Sequence, residues 1–94
     1  VALDMLCFIC VMIRYWIPAA IGWLDERFVG YGYEDNDYCR RAREAGFDLA
    51  VWDGCQVSHK GYSAYRSQPD FQAKADHNRR LFEQKYGIPL EKLR

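Results

Sequence analysis

The sequence has no excess of either charge, because its 94 residues contain thirteen Lys and Arg and thirteen Asp and Glu. A general electrostatic attraction to nucleic acid or to an anionic membrane needs a surplus of basic residues. The balanced charge therefore gives no reason to expect nucleic acid as a partner. Any anion-binding site has to be local.

The sequence also lacks a hydrophobic run long enough to span a membrane. Its longest apolar segment, Met5 to Ile13, is far shorter than the roughly 20 residues that a membrane helix needs. The segment has no preceding basic region and no small-residue cleavage site, so it does not resemble a signal peptide. A strand buried on both faces is the structure that such a run favours.

The four cysteines do not form two close pairs. Cys7 and Cys10 have knuckle-like spacing, but Cys39 and Cys55 are isolated, so the four-ligand zinc pattern is incomplete. Buried free thiols in a reducing compartment are the default expectation, which favours the cytoplasm or the cytoplasmic face of a membrane. A small zinc-binding module stays open as an alternative.

What is present favours one small globular domain of α/β class. Half of the residues are hydrophobic, and 94 residues form one domain at most. Apolar runs, periodicity and glycine or proline breaks predict three strands, a short helical turn, a structured loop and two main helices around a small mixed sheet. The predicted segments are Met5–Ile13 (strand), Ala19–Ile21 (turn), Gly22–Gly32 (loop), Asp35–Ala45 (helix), Asp48–Trp52 and Cys55–Ser58 (strands), and Pro69–Tyr86 (helix).

Carboxylates are concentrated in the predicted loop and directly after it. Asp25, Glu26, Glu34 and Asp35 lie close together in the sequence, with glycines at positions 30 and 32 between them. A solvated helix start that uses acids as caps is the simpler explanation. The glycines favour a binding site instead, because they permit backbone conformations closed to other residues and the close approach of a ligand.

The same residues carry a resemblance to a known family. The stretch GWLDERFVGYGYEDNDYCRRAREAGFDL, followed by VSHK, resembles the C-terminal half of family-2-type inverting glycosyltransferases of the GT-A fold. Its GYGYEDND string is also similar to the GWGGEDDD string of the β-1,4-galactosyltransferases. The resemblance covers residues 6–60. It implies that the chain is the acceptor-side, C-terminal portion of a catalytic domain, with a family-like core at 1–66 and an additional helix at 67–94.

The resemblance implies a role for each matching residue. Asp35 matches the catalytic base, Glu34 a residue that binds acceptor hydroxyls, and His59 a ligand of a divalent metal, Mn²⁺ or Mg²⁺. Tyr31 stands where the galactosyltransferases have a tryptophan against the acceptor sugar. The remaining positions expected to contact substrate are Gly32, Asp25 and Arg40. Gln56 stands where those enzymes have a thioether metal ligand, which is a departure from the pattern.

The expected reaction is transfer of a sugar from a nucleotide-diphosphate donor to a carbohydrate hydroxyl, with inversion. Asp35-Asn36-Asp37 has the form of the Asp-x-Asp motif of this superfamily, but it opens a helix instead of following an apolar strand. We therefore expect the true motif upstream, and no transferase activity from these 94 residues alone. Self-association is expected from the apolar strand. The alternative is a non-catalytic sugar-binding or scaffolding module.

Overall fold

A computed structural model describes residues 5–30, 32–59 and 67–87, and within these ranges it contains three helices and no strand. The helices are α1, Trp16–Ile21, α2, Glu34–Glu44, and α3, Phe71–Tyr86. The predicted α/β fold with a small mixed sheet is therefore wrong. The described part of the chain is all-helical.

The three predicted strands fail for a common physical reason. Residues 5–14 run irregularly with a turn near residues 8–10, where the Ile9 N–H donates to the Cys7 carbonyl at 2.9 Å. Residues 47–59 have no regular pairing either. An apolar composition specifies burial, but a strand exists only where another strand completes its hydrogen-bond ladder. Apolar sequence alone therefore did not define these elements.

Helix α2 follows the local signals in its sequence. Acidic residues occupy its first turn and Arg41 and Arg43 its last, which suits the helix dipole. The helix ends at Gly46 in a Schellman motif: Gly46 has φ +91°, and the N–H of Phe47 donates to the carbonyl of Ala42 at 2.9 Å. It begins one residue earlier than predicted.

Helix α3 begins two residues later than predicted. Asp70 occupies its N-cap position. Its C-terminus is confirmed, because Gly87 has φ +73° and its N–H donates to the Glu83 carbonyl at 2.7 Å. Helix α1 is longer than the predicted turn and ends at Gly22. None of the helices in the described residues is both long and apolar enough to cross a membrane.

The core is small and partly polar, and its buried residues lie on α2 and α3. Its buried residues are Asp37, Tyr38, Cys39, Ala42, Asn78 and Phe82. The Phe82 ring lies 5.6 Å from that of Tyr33 and 4.9 Å from that of Tyr86, measured between centroids. Two fully buried polar residues in so small a core require full hydrogen bonding. Their partners define the site described next.

Candidate functional site

The connecting loop, residues 22–32 between α1 and α2, is fixed at its start by side chains of α2. Arg41 donates from Nη1 to the Ile21 carbonyl at 2.9 Å and from Nη2 to the Trp23 carbonyl at 2.7 Å. The Tyr38 hydroxyl donates to the Gly22 carbonyl at 2.9 Å. These contacts satisfy carbonyl groups that the end of α1 leaves without helical partners.

Side chains of α3 hold the second half of the loop. Asn78, fully buried, accepts the Val29 N–H at 2.9 Å and donates to the carbonyls of Val29 and Gly32 at 2.7 and 3.0 Å. His77 Nε2 lies 3.1 Å from the Arg27 carbonyl and donates to it, since a carbonyl only accepts. The connecting loop is therefore tied to α3 as well as to α2.

Asp37 is the hub of an ionic network beneath the loop. Its side chain is 0% exposed and contacts Lys85 Nζ at 2.7 Å, Arg41 Nε at 3.1 Å and the Tyr86 hydroxyl. Burial, and then the hydrogen bond to Asp37, raise the pKa of Tyr86 well above its ordinary value. Asp37 lies in the first turn of α2, as predicted, but its charge also holds two cations in place.

Asp25 forms ion pairs with Arg27 and Lys85. Its carboxylate contacts Arg27 Nη2 at 2.7 Å and Lys85 Nζ at 2.9 Å, and it also accepts the Arg27 N–H. The side-chain hydrogen bond from Arg27 holds the pKa of Asp25 well below its usual range. Asp25 was predicted to contact substrate, and in this structure its carboxylate oxygens already accept hydrogen bonds from protein cations.

Glu34 and Asp35 stand side by side at the first turn of α2, and both are half-buried. Asp35 accepts the Phe8 N–H on Oδ2 at 3.2 Å and the Asn36 N–H on Oδ1 at 2.8 Å. Burial, with a contribution from the Asp35 charge, raises the pKa of Glu34 above its ordinary value. The pair therefore combines one carboxylate oriented by backbone donors with one whose proton affinity is increased.

The backbone before this pair is left-handed. Gly32 has φ +107° and the N-cap residue Tyr33 has φ +71°, which is uncommon for a residue other than glycine. A Cβ on Gly32 would meet no atom within 4 Å, so it is the φ value that favours glycine there. Tyr31, predicted to stack on the acceptor sugar, lies outside the described residues.

Arg40, also predicted to contact substrate, is held on the helix surface. Its Nε donates to Glu44 Oε1 at 2.9 Å, and its guanidinium lies 4.4 Å from the centroid of the Tyr86 ring. Both contacts fix the side chain beside the ionic network. The structure thus places Asp25 and Arg40 beside Lys85 and Tyr86, and it places Gly32, Glu34 and Asp35 at the start of α2.

His59, the predicted metal ligand, is exposed at the end of the 32–59 range. Within the three described ranges, no three His, Cys, Asp or Glu side chains form a group that could hold a metal ion. The described residues therefore do not make up a complete site for Mn²⁺ or Mg²⁺ around His59, or for zinc around the cysteines. Cys39 is buried, and Cys7, Cys10 and Cys55 are exposed free thiols.

Sequence reasoning missed the residues that hold the loop: Asp37 as a hub, Arg41, Asn78, Lys85 and Tyr86. A signal was present in α3, where Asn78, Phe82 and Tyr86 recur every four residues and share one helix face. A polar residue on an otherwise apolar face indicates a buried hydrogen-bonding site. The spacing does not reveal which group Asn78 binds, because its partner Val29 lies 49 residues away in the sequence.

Comparisons with known proteins do not assign a family. A scan against protein-family models found no match, and searches of curated proteins and of solved structures found none either.

Proposed function

We propose that this chain forms the acceptor side of an inverting, nucleotide-sugar-dependent glycosyltransferase. The observation that carries the proposal is the Glu34–Asp35 pair, half-buried at the first turn of α2 directly after two left-handed residues. A carboxylate oriented by backbone N–H groups suits a general base, which must hold one geometry relative to the hydroxyl that it deprotonates. The resemblance of residues 6–60 to family-2-type enzymes gives the reaction class.

In this mechanism Asp35 accepts the proton of the acceptor hydroxyl as its oxygen bonds to the anomeric carbon of the donor. The bond from that carbon to the diphosphate oxygen breaks, and the nucleoside diphosphate leaves with the electron pair. Glu34 binds a neighbouring hydroxyl of the acceptor, and its raised pKa favours sharing a proton with it. A divalent metal, when bound, would neutralise the leaving diphosphate. The steps assigned to this chain's described residues are acceptor binding and proton removal.

Exposed aromatic side chains support a second candidate, a non-catalytic sugar-binding module. Trp23 is largely exposed, while its carbonyl is held by Arg41. An exposed aromatic face suits stacking against a sugar ring, because the ring presents apolar C–H groups. This candidate shares the acceptor site with the enzyme and lacks only the transfer step.

A test uses the complete gene product with a panel of UDP-, GDP- and dTDP-sugars and simple methyl glycosides as acceptors. The proposed enzyme releases nucleoside diphosphate faster when an acceptor is present, and the product carries an inverted linkage by NMR. Glycoside binding by calorimetry without any release would favour the binding module. Neither binding nor release with any probe would contradict both candidates.

A further inference from the structure

One ammonium group connects three separate segments of the chain. Lys85, in the last turn of α3, places Nζ 2.9 Å from Asp25 Oδ2 in the connecting loop and 2.7 Å from Asp37 Oδ1 in α2. Because both acids face the same nitrogen, a shift of the loop relative to α2 would break one of the two contacts.

The bridge lies where water has little access. The side chains of Lys85 and Asp25 are 22% and 15% exposed, and that of Asp37 is fully buried. Ion pairs in such surroundings are screened less than surface pairs, and loss of one partner leaves a poorly solvated charge. The bridge therefore restricts the relative positions of the loop, α2 and α3 more strictly than an exposed salt bridge would.

The two acids that Lys85 joins lie in the segments that carry the candidate site and lead into it. Asp37 shares the first turn of α2 with Glu34 and Asp35, and Asp25 lies in the loop that leads into that turn. Asn78, seven residues before Lys85 on the same helix, holds the far end of the loop through Val29 and Gly32. Helix α3 thus holds the loop at Asp25 as well as at its far end.

We propose that Lys85 is a positioning residue for the acceptor site, with Asp25 as its partner in the loop. Together they fix the connecting loop against the turn that carries Glu34 and Asp35. The functional meaning of this inference rests on the proposed function of that pair. Asp25 then influences the acceptor through Lys85 and not by direct contact, which replaces the substrate-binding role expected from the sequence.

The test compares this role with a general contribution to stability, using NMR on the 94-residue chain. Two local readouts lie away from Lys85: hydrogen exchange of the Val29 amide, which reports the loop, and the carboxyl pKa of Glu34, which reports the site. The variants are Asp25→Asn, Lys85→Met and the conservative Lys85→Arg. Arg80→Met, on the exposed side of the same helix, is the matched control.

Asp25→Asn and Lys85→Met should speed exchange of the Val29 amide about tenfold by freeing the loop. The pKa of Glu34 should fall toward its ordinary value, because a displaced loop leaves that carboxyl less buried. Lys85→Arg should keep both readouts near those of the parent chain, since a guanidinium can still bridge the two acids. Arg80→Met should change neither.

Asp25→Asn decides the outcome if Lys85→Met does not fold, because it leaves the contacts of Asp37 with Arg41, Lys85 and Tyr86 in place. A folded Asp25→Asn chain with unchanged Val29 exchange and an unchanged Glu34 pKa would overturn the proposal. No sugar or turnover enters these measurements. Absence of transfer in the activity assay would therefore overturn the proposed function alone.

Discussion

At the scale of single residues, position in the fold separates carboxylates of the same type. Asp37 is buried among cations, Asp25 is neutralised by Arg27 and Lys85, and Asp35 is oriented by backbone N–H groups. Asp37 and Asp25 form ion pairs, whereas the carboxylate of Asp35 accepts hydrogen bonds from the backbone N–H groups of Phe8 and Asn36. The three acids thus have different surroundings, although they are residues of the same type close together in the sequence.

Asp35→Asn should lower transfer by roughly 10²-fold in the complete gene product, the usual scale for a lost general base. The fold should persist, because the amide oxygen of asparagine can still accept a backbone N–H. Donor binding should persist as well, since Asp35 acts on the acceptor. The assay is acceptor-dependent release of nucleoside diphosphate, with the exposed Asp53→Asn as control. Near-normal turnover would remove Asp35 from the mechanism.

His59→Ala should raise the Mn²⁺ concentration needed for half-maximal activity about tenfold or more if the imidazole is a ligand. The matched control is His77→Ala, which removes the other histidine, whose Nε2 contacts the Arg27 carbonyl. Circular dichroism checks that both variants fold. A folded His59→Ala variant with an unchanged metal requirement would contradict the ligand role.

Asp25 should make stability depend on pH at the acid end. Its pKa is depressed in the folded chain by Arg27, so its contribution is present above the unfolded value of about 3.9 and is lost as pH falls through the lower folded value. Asp25→Asn should cost about 1 kcal/mol at pH 7 and less toward pH 2. Urea midpoints across this range measure the difference, and a constant difference would contradict the assignment.

At the scale of elements, the sequence predicted the helix ends, because these depend on neighbouring residues. The ends of α2 and α3 were correct within two residues, because Gly46, Gly87 and the charge distribution act within one turn. The strands were wrong, because pairing depends on residues far along the chain. The motif predicted a site at the Glu34–Asp35 pair, and its role stays a prediction. Asn78 and Lys85 were missed because their partners lie 46 to 60 residues away.

Gly46→Ala should destabilise the chain by roughly 1 kcal/mol, because alanine is strained at the positive φ of the Schellman motif. A Cβ there would meet no atom within 4 Å, so the cost comes from the backbone alone. Gly46→Asn is the matched control and should cost less, since asparagine tolerates the left-handed conformation. Equal urea midpoints for Gly46→Ala and the parent chain would contradict the motif.

At the scale of the whole molecule, the small core leaves much apolar surface in contact with water. Met12 is 92% exposed and Trp52 is 74% exposed. A cleft of about 440 Å³ lies between the N-terminal segment, α2 and residues 47–50, with Leu6, Ile17 and Leu49 among its lining residues. Exposed apolar surface of this kind is typical of interfaces.

We therefore expect the 94-residue chain to self-associate through this apolar surface and to lack transferase activity by itself. Sedimentation velocity should show a concentration-dependent shift toward dimers or larger species. Met12→Lys should weaken the association, because burying an unpaired ammonium at the interface is costly. Gln84→Lys adds the same charge on the exposed side of α3 and should leave association unchanged.

A monomer at all concentrations that also binds UDP tightly by calorimetry would contradict the prediction. Such a chain would hold the donor without further segments, and its exposed side chains would then have to be explained by another partner.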